Sequence, residues 1–158
     1  NPHRDFEWPV ASAFGTTQKK PPEIPFHLCV ESCLVPPEME AFTPNADEYF
    51  NLLGDRRSLK SIKEGETNRP SFKRLHRYKY SPTACYGNNE VHLHPYQHRR
   101  LSVREVLRIQ GVDDSYVLTT KGQLSKKFKM VGNGVPVPLA EGLAKSLLKF
   151  IDTLPVKI

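Results

Sequence analysis

Arginine dominates the chemistry that this sequence could perform. Arg99, Arg100, Arg104 and Arg108 all fall within Arg99–Gly111. A guanidinium offers a rigid fork of donors that suits carboxylates, phosphates and guanine edges. The cluster therefore asks for an anionic neighbour or for carboxylates within the fold. A second stretch, Gly132-Asn133-Gly134-Val135-Pro136, sets two glycines around one Asn. Such a backbone can turn sharply and approach another group closely. Cys29, Cys33 and Cys85 are the only thiols. An odd count without a secretory signal fits a reducing compartment. His92, His94 and His98, with Cys85, invite a zinc reading. Their spacing matches no closed Cys/His template, so no metal site is assigned.

The elements that must carry these groups are marked in the sequence. Ser102 followed three residues later by Glu105 is a capping box, in which each side chain satisfies a free backbone N–H at the other's residue. Val103, Val106, Leu107 and Ile109 give that helix an apolar face, and Gly111 ends it. Pro138 suits the first turn of a second helix. Leu139, Leu143, Leu147 and Ile151 repeat every four residues along it, until it stops near Pro155. Val91-His92-Leu93-His94 alternates as a half-buried strand would. Leu75, Tyr78 and Tyr80 suit short strands, and Tyr116–Leu118 suits another. Asn45 is placed to cap a short helix through Leu53, ended by Gly54. Residues 26–34 form a short helix or strand, broken by Pro36-Pro37. Residues 55–70 read as an exposed loop, and residues 1–9 as an extended segment packed by Phe6 and Trp8.

Charge is unevenly placed. Residues 1–55 carry 3 basic and 9 acidic side chains, whereas residues 56–108 carry 13 and 4. A basic middle third beside an acidic first third argues for one surface facing a polyanion. Hydrophobic content of 38% and charged content of 25% belong to an ordinary globular chain. No apolar run approaches the ~20 residues of a membrane span.

The order R-x-L-S-x-R-E-x-x-R-x-Q-G, then D-x-Y, then G-N-G-V-P-x-P-L-A resembles the last two motif blocks, IX and X, of DNA cytosine-5 methyltransferases. The likeness covers residues 74–152. It departs at Val112-Asp113-Asp114, where the family usually has Phe-Pro-Asp, and at Gly134, where Ala or Ser is commoner. The resemblance implies an enzyme that flips cytosine out of duplex DNA and methylates C5 from S-adenosyl-L-methionine, since the ring cannot be attacked within the stack. The family's nucleophilic Cys follows a Pro. Here Cys29 follows Leu28, Cys33 follows Ser32 and Cys85 follows Ala84, so no catalytic residue is assigned. Nor does the chain carry the F-x-G-x-G cofactor loop.

The resemblance therefore implies an α+β chain. Residues 1–70 would be the start of the target-recognition region or a linker, and residues 71–98 a small mixed β recognition region. Residues 99–158 would form the motif IX helix, the motif X turn and a helix that returns to an α/β Rossmann-like catalytic half. That half would be part of the same gene product or a separate subunit. The absence of an initiating Met favours a fragment. The implied partner is double-stranded DNA with no membrane, in a bacterial restriction–modification system. The implied place is the cytoplasm and nucleoid if bacterial, or the nucleus if eukaryotic.

By the same resemblance, Asn133, Gly134 and Val135 form one wall of the S-adenosyl-L-methionine pocket. Thr83 approaches the backbone of the flipped nucleotide. Gly87, Asn88 and Asn89 form a loop able to enter the major groove. Arg74 and Arg77 suit guanine, while Lys73, Arg99 and Arg100 suit phosphate. Arg104 and Glu105 organise the region through buried charge-assisted bonds. The alternatives are a non-catalytic DNA-binding module and a basic RNA-binding domain. The latter lacks the aromatic set that single strands require.

Overall fold

In the computed structural model, the described residues are 7–52, 57–83, 86, 91–119 and 123–154. Regular structure is sparse. Two-residue strands β1 (Lys73–Arg74) and β2 (His92–Leu93) pair in parallel, Lys73 opposite His92. Three α-helices follow: α1 (Val103–Ile109), α2 (Leu124–Gly132) and α3 (Val137–Asp152). Short 3-10 turns at Phe26–Leu28, Val30–Cys33, Pro37–Phe42 and Arg57–Ser61 precede them. The main core gathers Val30, Leu34, Leu75, Leu101, Val106 and Phe128. A smaller cluster joins Leu59, Ile62 and Leu93.

α1 shows why this helix forms where it does. A seven-residue helix is too short to stand alone in water. Its capping box is complete: the Ser102 hydroxyl accepts from the Glu105 amide, and the Glu105 carboxylate accepts from the Ser102 amide. Its next free donors, the Val103 and Arg104 amides, reach the Glu48 and Asn45 carbonyls at 2.9 and 3.0 Å. Every early N–H is thereby satisfied, as a buried helix start requires. At the other end Gly111 sits at φ +74°, and its N–H bonds the Arg108 carbonyl.

Several sequence expectations are corrected. Described residues 45–52 form no helix. Asn45 instead adopts φ +63°, and its side-chain amide exchanges two hydrogen bonds with the Leu118 backbone. Leu53 and Gly54 lie outside the described residues. Residues 57–61 are a 3-10 turn rather than open loop, with Leu59 and Ile62 buried. Leu75, Tyr78, Tyr80 and 116–118 carry no strand. His92, Leu93 and His94 are all buried, so their alternation does not mark one wet face. α2 takes in Phe128-Lys129-Met130, which showed no helical stripe in the sequence. Trp8 packs edge-on against His76; Phe6 lies outside the described residues.

A buried polar spine crosses the core. The Glu105 carboxylate, fully buried, accepts from Arg99 (2.7 and 2.8 Å), the Ser102 amide and the Val35 amide. His94 lies beside it, with Nε2 at 3.8 Å from the carboxylate. Nδ1 of His94 accepts from the Tyr96 and Gln97 amides. That places the ring's single proton on Nε2. Burial, with Arg99, Arg74 and Arg77 nearby, pulls His94 down to about 2.

This packing sets two measurable expectations. A Cβ on Gly111 would meet Pro138 Cδ at 2.4 Å and would hold a left-handed φ. Gly111→Ala should therefore cost at least ~1–2 kcal/mol, measured by denaturant unfolding. His94 is neutral in the fold, whereas the unfolded chain binds its proton near pH 6.5. Stability should be fully present above that pH and should fall below it, by up to ~1.4 kcal/mol per pH unit. In His94→Asn, Oδ1 replaces Nδ1 as acceptor, and the slope between pH 6 and 4 should flatten by about that amount.

Candidate functional site

The ends of α1 and α2 and the start of α3 meet. The Val137 amide donates to the Gln110 carbonyl at 2.8 Å, and Gln110 Nε2 donates to the Val131 carbonyl at 3.1 Å. Gln110 thus staples all three helices. The R-x-Q-G pattern contained this residue, but nothing in its spacing disclosed the role. Beside the junction lies an open groove of about 520 Å³. Thr83, Cys33, Arg108, Gly111, Gly134 and Pro138 line it. It brings the expected nucleotide contact, Thr83, into one concavity with the motif X turn.

The motif X residues are placed as follows. Asn133 is the C-cap of α2, its N–H bonded to the Lys129 carbonyl, and its side chain is exposed. The Gly134 N–H returns to the Val131 carbonyl at 3.0 Å. Val135 is 66% exposed. The close approach that a glycine permits here is internal. A Cβ on Gly132 would meet the Tyr86 backbone N at 2.8 Å, so glycine lets α2 press against the chain at Tyr86.

The arginines divide sharply from expectation. Arg74 is fully buried. Its guanidinium donates to the Leu59, Ile62 and His94 carbonyls at 2.6–2.8 Å. Desolvation lowers it to about 10. Arg77 forks onto Glu64 through two 2.9 Å bonds, also reaches the Thr16 carbonyl, and lies 4.3 Å from the centroid of the Tyr96 ring. Arg99 is engaged by the Glu105 carboxylate. These three are therefore corrected from DNA contacts to internal ties, because their donors are committed to carbonyls and carboxylates of the chain itself. Arg100 is half-buried, with its guanidinium 5.1 Å from the Phe50 ring centroid. Lys73 is half-buried on β1, and Thr83 is exposed. Gly87, Asn88 and Asn89 lie outside the described residues.

The motif IX pair is enclosed. Arg104 is fully buried and donates to the Pro44, Asp113 and Tyr116 carbonyls. It thereby pins the segment after α1 to the segment before it. Arg108 grips Asp114 through two bonds (3.0 and 2.7 Å) and donates to the Leu34 carbonyl. That grip holds the Asp114 carboxyl below its ordinary range. The histidines are engaged within the fold. Nδ1 of His92 faces the Tyr86 hydroxyl at 3.2 Å, and His98 packs against Phe14. Among the described residues no three His, Cys, Asp or Glu gather as a metal site; Cys85 lies outside them.

α3 differs from the other helices. Leu139, Leu143, Leu147 and Ile151 are 50–68% exposed, and Leu148, Phe150 and Leu154 join them. Nothing among the described residues covers this face, and no residue of the helix is buried. A contiguous apolar surface of this extent marks a binding face. No helix among the described residues is long and apolar enough to cross a membrane.

Residues 31–149 match the family model of the C-5 cytosine-specific DNA methylase. The chain is 38% identical over 146 residues to the type II methyltransferase M.NmeDI of Neisseria meningitidis serogroup C, covering 92% of this chain and 34% of that protein. It is 48% identical over 58 residues to the type II methyltransferase M.MthTI of Methanothermobacter thermautotrophicus, covering 37% of this chain and 17% of that protein. It is 43% identical over 65 residues to the DNA (cytosine-5)-methyltransferase CMT3 of Arabidopsis thaliana, covering 41% and 8%. The chain thus spans about a third or less of the length of these relatives. On the extent of the family match and the likeness to M.NmeDI, the chain belongs to the C-5 cytosine-specific DNA methylase family.

Proposed function

We propose that this chain is the recognition and pocket-closing portion of a DNA cytosine-5 methyltransferase of restriction–modification type. It acts on duplex DNA with S-adenosyl-L-methionine as methyl donor. The observation that carries this reading is the junction itself: Thr83, Gly134 and the Gly111–Pro138 contact share one groove, directly beside an uncovered apolar helix. A chain that closes a site but carries no Pro-Cys dipeptide fits a division of labour. Residues 71–98 address the DNA. Residues 99–158 return to a Rossmann-like half that carries the Pro-Cys nucleophile.

The residues present fit a donor pocket wall. The Asn133 amide is exposed and makes no side-chain hydrogen bond among the described residues. Val135 offers apolar surface beside it. An amide with an adjacent apolar side chain suits the polar edges and flat faces of a nucleoside. S-adenosyl-L-methionine would supply the methyl group. Asn133 would orient the bound donor, and Val135 would exclude water from it. Thr83, which lines the groove with Gly134, would hold the sugar–phosphate of the displaced nucleotide through its hydroxyl, fixing position without reading sequence. α3 would bury its leucines on the catalytic half. That contact positions both walls.

The direct test is co-expression with the catalytic half, followed by mapping of methylated cytosines in host DNA. Methylation at a defined site is expected; a host DNA left unmodified by the assembled pair would overturn the reading. In that assembly Thr83→Ala should lower kcat/KM for DNA roughly 2–10-fold, the worth of one hydrogen bond. Asn133→Ala should raise the KM for S-adenosyl-L-methionine while leaving DNA affinity in place. Leu143→Glu with Leu147→Glu should abolish co-purification of the catalytic half. The chain's own melting temperature should not change, since both side chains are solvent-exposed here.

A further inference from the structure

We propose that α2 carries a DNA-backbone clamp, in which Lys126 and Lys129 hold successive phosphates. A cleft of about 410 Å³, separate from the groove above, is rimmed by Lys126, Lys129 and Arg100, with Ser125 alongside. Phe50 and Phe128 also line it. No carboxylate among the described residues lines it. Lys126 and Lys129 are exposed and have no acidic partner among the described residues. Their neighbour makes the contrast. Lys127 turns to the other side of α2, is nearly buried, and is committed to Glu48 at 2.6 and 2.7 Å.

The geometry favours a strand of DNA over a small anion. Residues three apart on a helix share a face, with Cβ atoms about 5–6 Å apart. Two flexible ammonium groups so spaced can follow consecutive phosphates. Tyr86 and Val91, the two residues that bracket positions 87–90, both line the cleft. The Arg100 guanidinium, 5.1 and 5.6 Å from the Phe50 and Phe72 ring centroids, adds a third positive group at the rim. The role is non-specific grip: lysine point charges set register and affinity without discriminating bases.

This inference rests on the DNA-binding reading, and the experiment separates their failures. Duplex DNA binding by the chain assembled with its catalytic half is followed by fluorescence anisotropy from 50 to 200 mM salt. Lys126→Gln with Lys129→Gln should lower the slope of log K against log salt by about 1.8, which is ~0.9 for each phosphate no longer neutralised. The ratio of target to non-target affinity should stay constant. Lys126→Arg with Lys129→Arg should retain the parental slope. A Gln variant with an unchanged slope, or an Arg variant that loses it equally, would overturn the clamp while wild-type binding stands. An assembly that binds no duplex at any salt would overturn both readings. Equal melting temperatures for all variants would exclude misfolding as the source of a changed slope.

Discussion

One carboxylate, that of Glu105, holds four hydrogen bonds from three separate stretches of chain. It ties Val35 in the first third, Arg99 after β2, and the start of α1 to a single point. It is fully buried, so its charge is tolerable only with Arg99 forked onto it. Removing one partner of such a pair typically costs about 3–5 kcal/mol, because the other charge is left stranded. The fold needs such a node because it has so little regular structure. With two-residue strands and a seven-residue α1, many backbone groups must find partners outside helix and strand ladders.

The arginines supply many of those partners. Arg74 collects carbonyls from residues 59, 62 and 94; Arg104 collects them from 44, 113 and 116. Each replaces several inter-strand bonds with one five-donor side chain. Arg74, Arg77 and Arg104, three of the described arginines of the basic middle third, are thereby turned inward. Among the described residues Arg74 and Arg104 build the scaffold, while Lys126 and Lys129 face solvent.

The parts of the fold governed by local rules were legible in the sequence. Ser102 and Glu105 announced the capping box, Gly111 the left-handed stop, and Pro138 the first turn of α3. The four-residue stripe announced an apolar face on α3. The parts governed by long-range partners were not. Asn45 read as a helix cap because its type suits one; its actual role depends on Leu118, more than seventy residues away. α2 was missed because Lys126, Lys127 and Lys129 break the apolar periodicity, and of its apolar side chains only Phe128 and Val131 are buried. Arg74 and Arg77 looked like base readers because nothing in their spacing disclosed Glu64 or the waiting carbonyls. The candidate groove was legible as two motif blocks, since the order of the motifs fixed their meeting. That Thr83 lines the same groove was not legible, because nothing in its spacing disclosed the fold between it and Gly134.

The bare leucine face of α3 also bears on how such a chain survives. A copy without its counterpart would present a greasy helix to chaperones and proteases, which recognise that kind of surface. Unmatched copies would then be cleared or precipitate, whereas matched ones would persist. Persistence of the chain would then depend on that face being covered, through the same sixteen residues.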